Sequence, residues 1–255
     1  MWTEAGVPGN EIKVLCIIPA RYRSSRFPGK PLVKINGIPM IKRTYMQAAK
    51  SPILSNLVVA TEDKRVFDYC KSEGMKVVVT SDDCLTGTDR LSEVFKMSEY
   101  KDYDFYINVQ GDEPIVDPIV IEQIVNKYRQ YGDKYIAYNL YKFIDDKDEI
   151  SSDTIIKVIV NENDELMYMS RLPVPYSNGD LPSVHKMQVP VYGYTSKALE
   201  IFSMHQKTIN EQFEDIELLR FIDLGYKIKL TETNATSIAV DIPSDVLKVE
   251  KHLNG

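Results

Sequence analysis

Residues 20–30, ARYRSSRFPGK, set Arg21, Arg23, Arg26 and Lys30 behind an apolar run, in a chain whose formal net charge is -6. Ser24, Ser25, Pro28 and Gly29 lie among them. Backbone N–H groups in such a loop, joined by arginine and lysine tips, suit the oxygens of a polyphosphate. A charge cluster is more often a solvated loop; the position at the end of a strand-like run is what favours an anion site. The loop is not a Walker A motif, because G-x-x-x-x-G-K-[ST] is absent.

Carboxylates supply the complement. INVQGDEP (107–114) carries Asp112 and Glu113 beyond Gly111, which permits a sharp turn after an apolar run. A bare GDEP would be read as a surface acidic turn, but a carboxylate at a strand end can also hold Mg2+. That ion favours one or two carboxylates together with substrate phosphates. SIAVDIPSD (237–245) ends a second apolar run at Asp241. Two strand-end aspartates facing a cationic loop form the constellation expected of metal-assisted phosphoryl or nucleotidyl transfer. TGTDR (86–90) adds small hydroxyls, Gly87 and Arg90. It suits recognition of a base or ribose, and it equally suits capping of the next helix by Thr88 or Asp89.

These motifs need elements to position them. KVLCIIPA is continuously apolar, as in a strand buried on both faces. NLVVATE, MKVVVTS and DFYINVQ read the same way. Between them, PMIKRTYMQAAK, KRVFDYCKSEG, DRLSEVFKMSEY and DPIVIEQIVNKYRQYG have helical spacing, the second stopping at Gly74. The alternation predicts a doubly wound, mainly parallel sheet, whose ligands sit at the carboxyl ends of the strands. From about residue 135 the rhythm changes. Strands joined at NEND and another at KMQVPVYGYT predict a β-rich insertion within one domain. Helices follow over 196–206 and 211–224, then sheet character in YKIKLTET and SIAVDIPSD, then a terminal helix.

Bulk properties exclude other classes. The chain has 255 residues, 44% hydrophobic and 27% charged, enough for a sizeable core. A pI near 5.3 argues against nucleic-acid or anionic-membrane binding, which needs broad positive potential. No apolar run approaches the roughly 20 residues that span a bilayer, and residues 1–13 lack an apolar signal core. Three widely spaced cysteines, Cys16, Cys70 and Cys84, form neither a disulfide framework nor a metal spacing. A reducing cytoplasm is the compartment expected. His185, His205 and His252 lack ligand spacing and are expected at the surface. The tyrosines at 131, 135, 138 and 141 are expected in the core or at a subunit interface.

IIPARYRSSRFPGKPLVKINGIPMI, VVATEDKRV, TGTDRLSEV, INVQGDEPIV, YMSRLPVPY, GYKI and VDIPSD stand together in order. In this the chain closely resembles the 3-deoxy-manno-octulosonate cytidylyltransferases, the CMP-Kdo synthetases, from about Val14 to Leu253. The resemblance implies a nucleotidyltransferase-type, Rossmann-like three-layer α/β fold over 14–255, with residues 1–13 as an N-terminal extension. Residues of about 135–195 would form the sugar-binding and dimerisation insertion. It implies a Mg2+-dependent homodimer that joins CTP to an eight-carbon sugar acid and releases pyrophosphate, for lipopolysaccharide or capsule assembly. Arg21, Ser24, Arg26 and Lys30 match the family's triphosphate loop. Thr86, Gly87, Arg90 and Gln110 match positions near cytosine and ribose. Asp112 and Asp241 match the metal-binding aspartates, with Lys30 beside them in catalysis.

On the acceptor side the resemblance implies Arg171, Gln188, Tyr192 and Glu217. Here the chain departs from the pattern. Gln188, Val189 and Pro190 replace His-Leu-Gly, and Leu218 replaces a glutamine after Glu217. Glu62 likewise stands where the pattern has an aspartate. A buried hydroxyl that loses its partner costs about 1–3 kcal/mol, so these exchanges point to a modified acid, such as an amino-substituted octulosonate, unless a neighbour such as His185 compensates. A non-catalytic nucleotide-binding homologue is the remaining alternative, and intact Lys30, Asp112 and Asp241 argue against it.

Overall fold

A computed structural model describes residues 12–23, 27–176 and 184–255. The N-terminal extension therefore lies almost wholly outside the described residues, as do Ser24 and Arg26 of the cationic loop. The chain opens with β1 (Val14–Pro19), whose six residues are all buried. The short strands β2 (Lys34–Ile35) and β3 (Ile38–Pro39) follow, then α1 (Met40–Ala48). Asn36 and Gly37, both at positive φ, close the tight turn between β2 and β3. The alternation continues with β4 (Asn56–Thr61), α2 (Lys64–Ser72), β5 (Val77–Val79), α3 (Gly87–Lys96), β6 (Phe105–Val109) and α4 (Ile119–Tyr131). Next come β7 (Ala137–Phe143), α5 (Lys147–Ser151), β8 (Lys157–Val160), β9 (Leu166–Ser170) and β10 (Lys186–Thr195). The chain ends with α6 (Ser196–Met204), α7 (Ile209–Glu214), α8 (Leu219–Asp223), β11 (Ile228–Glu232) and α9 (Pro243–Asn254).

The main sheet has the order β11-β7-β10-β6-β1-β4-β5, with the β8–β9 hairpin attached through β10. β1 pairs in parallel with β4 and β6, and β11 with β7, whereas β10 is antiparallel to both its main neighbours. Continuous apolar strands follow from this arrangement, because helices cover both faces. Leu15 and Ile17 join a core with Leu91 and Val94 of α3 and Phe202 of α6. Val14, Cys16 and Ile18 join another with Ile41 of α1, Val66 of α2 and Ile121 of α4. From β1 the chain crosses one way to β4 and later the other way to β6. The crevice beyond the ends of β1 and β6 is thus the topological switch point, where open α/β sheets bind ligands.

Three local expectations are corrected. The helix expected over 211–224 is broken: α7 stops at Asp215, left-handed at φ 51°, and α8 starts at Leu219. Long-range ties pull the break open, because Glu214 accepts from Ser170 Oγ at 2.8 Å and from Arg171 N at 2.9 Å. Residues 238–241 form no strand. Their backbone is instead tied to the β6 loop by Val240 N donating to Asp112 O at 3.0 Å. His185 is buried, its carbonyl accepting from Ile144 N, whereas His205 and His252 are exposed as expected. Tyr135, Tyr138 and Tyr141 are buried. Tyr131, Tyr135 and Tyr138 meet edge to face along the series.

Candidate active site

Lys30 begins a single 3-10 turn after Gly29, whose φ of 75° suits a residue without Cβ. Its Nζ donates to Asp112 Oδ2 at 2.6 Å and lies 3.7 Å from Asp241 Oδ1. Asp112 arrives from β6 through Gly111. A Cβ on Gly111 would stand 2.5 Å from Pro19 O, so the turn passes against the end of β1 with no room for a side chain. Asp241 arrives on the coil held by Val240 N. Three separated segments therefore bring one cation and two carboxylates together at the switch point. Glu113, beside them, is 1% exposed and accepts from Ser237 Oγ. Burial, reinforced by the Asp112 charge, pushes its carboxyl up to about 8. Glu113 is thereby biased toward its neutral form, and the acids in contact with Lys30 are Asp112 and Asp241.

The donor set fits a small hard cation. It is all oxygen. Among the described residues no group of three or more His, Cys, Asp or Glu is placed to hold a metal alone. Two carboxylates would share the ion with substrate phosphates and water, the coordination Mg2+ favours.

The cationic loop is fastened beside this cluster. Gly29 N donates to Tyr22 O at 3.0 Å, and Arg21 donates to Leu85 O at 2.9 Å. Tyr22 N donates to Glu62 Oε1 at 2.9 Å, and Arg65 stacks over the Tyr22 ring at 3.4 Å. Glu62 Oε2 also pairs with Arg90 at 3.0 Å; both side chains are buried, and Arg90 donates to Thr80 Oγ1 as well. One carboxylate thus joins the cationic loop to the arginine expected near the nucleotide. The extra methylene of Glu62 lets it span both, a role that the ATED motif alone did not disclose.

Thr86, rather than Thr88 or Asp89, caps α3. Its Oγ1 accepts from Asp89 N at 3.1 Å, and Asp89 Oδ2 accepts from Thr86 N at 3.0 Å. Gly87 opens the helix, and a Cβ there would meet Gln110 Nε2 at 3.3 Å and Asn108 Nδ2 at 3.5 Å. The start of α3 and the end of β6 therefore form one wall. Asn108 is fully buried, and neither side-chain polar atom has a hydrogen-bond partner among the described residues.

Across the strand register, Asn108 faces Tyr192 of β10. Glu217 takes the Thr88 N–H at 2.7 Å. Burial pushes the Glu217 carboxyl up, while the Thr88 bonds pull it down. Burial also raises the Tyr192 phenol, and the nearby Glu217 charge adds to that. Arg171 lies with its guanidinium turned into backbone. It donates to Glu214 O at 2.7 Å, Asp153 O at 2.9 Å and Asp215 O at 3.4 Å. Its own carbonyl accepts from the buried Lys157 ammonium at 2.5 Å, which also serves Ser152 O and Ile155 O, each at 2.6 Å. Lys157 and Arg171 together clamp the 152–156 loop and the α7 end to β9. Neither role is visible in a local motif, since every acceptor is a backbone carbonyl.

Residues 15–230 match the protein family described as Cytidylyltransferase. The chain is 39% identical over 243 residues to the 8-amino-3,8-dideoxy-manno-octulosonate cytidylyltransferase of Shewanella sp. (strain W3-18-1), covering 95% of this chain and 99% of that protein. The protein of that name from Shewanella oneidensis is 37% identical over 244 residues, with the same coverage. Among solved structures, a CMP:2-keto-3-deoxy-manno-octonic acid synthetase complexed with CTP superposes with a TM-score of 0.88 at 34% identity. It covers 95% of this chain and 98% of its own. The inositol-1-phosphate CTP transferase from T. maritima, at TM-score 0.65 and 15% identity, shares the fold. With a strand-end cluster of Lys30, Asp112 and Asp241 on a fold matched over nearly its whole length, the chain belongs to the cytidylyltransferase family.

Proposed function

We propose that the protein transfers CMP from CTP to a sugar acid of the 3-deoxy-octulosonate type, releasing pyrophosphate. The observation that carries this reading is the meeting of Asp112 and Asp241 at Lys30 Nζ, beyond β1 and β6. The names of the relatives support the acceptor class. The anomeric hydroxyl oxygen of the acid forms a bond to the α-phosphorus as the α–β bridge breaks. The hydroxyl proton is lost to water, and pyrophosphate departs. Mg2+ held by Asp112 and Asp241 supplies positive charge at the phosphate oxygens when bound. Lys30, paired with Asp112 at 2.6 Å, supplies a cation for the leaving pyrophosphate oxygens. Arg21, anchored at Leu85 O, adds a guanidinium on the same side. Thr86, Gly87 and Gln110 wall the nucleoside, Arg90 stands behind them, and Tyr192 and Glu217 border the acceptor. A cytoplasmic homodimer that supplies an activated sugar acid for lipopolysaccharide or capsule is part of the same proposal. No described helix is long and apolar enough to cross a membrane.

Asp112→Asn is the test. Pyrophosphate release from CTP, Mg2+ and the acid falls at least about 100-fold, while the cooperative unfolding transition persists. Wild-type turnover in that variant would remove the metal assignment.

A further inference from the structure

On the sheet face that carries Tyr192, two buried amides besides Asn108 keep acceptor oxygens to spare. Gln188 is 7% exposed, and its Oε1 has no hydrogen-bond partner among the described residues. Asn139 is 1% exposed and donates from Nδ2 to Val189 O at 2.8 Å and to Val191 O at 2.7 Å. Those two bonds fix the orientation of its amide at the β10 bulge. Its Oδ1 is left without a partner among the described residues. Unpaired buried acceptors are uncommon in native proteins and call for a donor.

The register brings these oxygens together. Gln188 faces Tyr141 and Tyr192 faces Asn139 across β7 and β10, so Gln188 and Asn139 are diagonal neighbours on one face. The Gln188 side chain also reaches the Tyr192 hydroxyl, and Glu217 lies against that tyrosine. Pairing of β10 with β6 begins only at Val191. Gln188 therefore overhangs the carboxyl end of β6, only two ladder steps of β7, about 7 Å, from Tyr192. Its backbone N–H is anchored to Ile156 O at 3.0 Å. That offset is within the span of an eight-carbon chain. An acid bordered by Tyr192 and Glu217 therefore lies within reach of Gln188.

The surroundings select the kind of donor. Arg171, the cation expected on this side, is committed to three backbone carbonyls. The charges that bear on Tyr192 are carboxyl groups, Glu217 first and Asp112 behind it, while the Lys186 ammonium is drawn over the Tyr141 and Phe143 rings. An ammonium brings three donors, no lone pair and a positive charge. A hydroxyl brings one donor and turns its own lone pairs toward the amide oxygens.

We infer that Gln188 and Asn139 form a subsite for a primary ammonium group on the tail of the acceptor acid, with Gln188 as the specificity-determining residue. This rests on the cytidylyltransferase reading above. The experiment is steady-state pyrophosphate release with CTP and Mg2+ on two acids identical except for a terminal hydroxyl or ammonium. Wild-type kcat/KM favours the ammonium acid by about 10- to 100-fold. Gln188→Met brings that ratio close to unity, mainly through KM for the ammonium acid. Gln188→Glu, which keeps the shape and adds charge, widens it. CTP binding by calorimetry on each variant reports that the fold is retained. Equal or better use of the hydroxyl acid by wild type, or an undiminished ratio in Gln188→Met, would overturn the inference. Absence of turnover with both acids would refute the acceptor reading itself, and the subsite with it.

Discussion

Gly111→Ala is a small perturbation with a large calculated consequence. The added Cβ would lie 2.5 Å from Pro19 O, a backbone atom at the end of β1. A carbon–oxygen contact needs close to an ångström more, and neither partner can rotate away. The turn is also held on other sides. Thr44 Oγ1 donates to Gly111 O at 3.2 Å, and Val240 N donates to Asp112 O at 3.0 Å. Relief must come from parting β6 and β1 at their carboxyl ends. Such overpacking costs about 1–3 kcal/mol. With an m-value of about 3 kcal/mol per molar urea, the midpoint falls by about 0.3–1 M. The functional cost is larger, because the same movement carries Asp112 away from Lys30 and Asp241. A misplacement of about 1 Å costs about 100-fold in rate. Urea unfolding followed by tyrosine fluorescence gives the first quantity, and pyrophosphate release gives the second. An alanine variant with the wild-type midpoint and wild-type kcat/KM would refute the claim that the turn is closed to a side chain.

Two other outcomes follow from local geometry. Glu62→Gln leaves the buried Arg90 guanidinium without its counter-charge; stability falls by about 3 kcal/mol, and KM for CTP rises about tenfold, as read by urea unfolding and initial rates. Asp63 caps α2 by accepting from Arg65 N at 2.9 Å, and the hydrogen bonds from the Arg65 side chain hold its carboxyl below the usual 3.8. A depressed folded value means that the carboxylate stabilises the fold above about pH 4 and loses that contribution as pH falls further. Asp63→Ala should therefore cost about 1 kcal/mol at pH 7, and the gap from wild type should close as urea midpoints are taken down below pH 4.

What could be read from sequence was whatever short range dictates. Apolar runs buried on both faces announce a covered sheet, and a glycine before Asp112 announces a turn at its end. The meeting of Lys30 with Asp112 and Asp241 was legible only because all three stand at places where chain leaves apolar runs. The coil at 238–241 shows the limit of that reasoning, since an apolar run proved to be tied by Val240 rather than laddered into the sheet. Arg171 shows it more sharply. Its partners are carbonyls of residues 153, 214 and 215, and a carbonyl has no signature in a sequence, because every residue owns one. The same holds for the amide of Asn139, oriented by two carbonyls that a bulge at Pro190 brings within reach. Motifs locate the charged chemistry of this site, where side chain answers side chain. Its discrimination among acceptors depends on oxygens left unpaired after the backbone has claimed its donors, and only the folded register decides which those are.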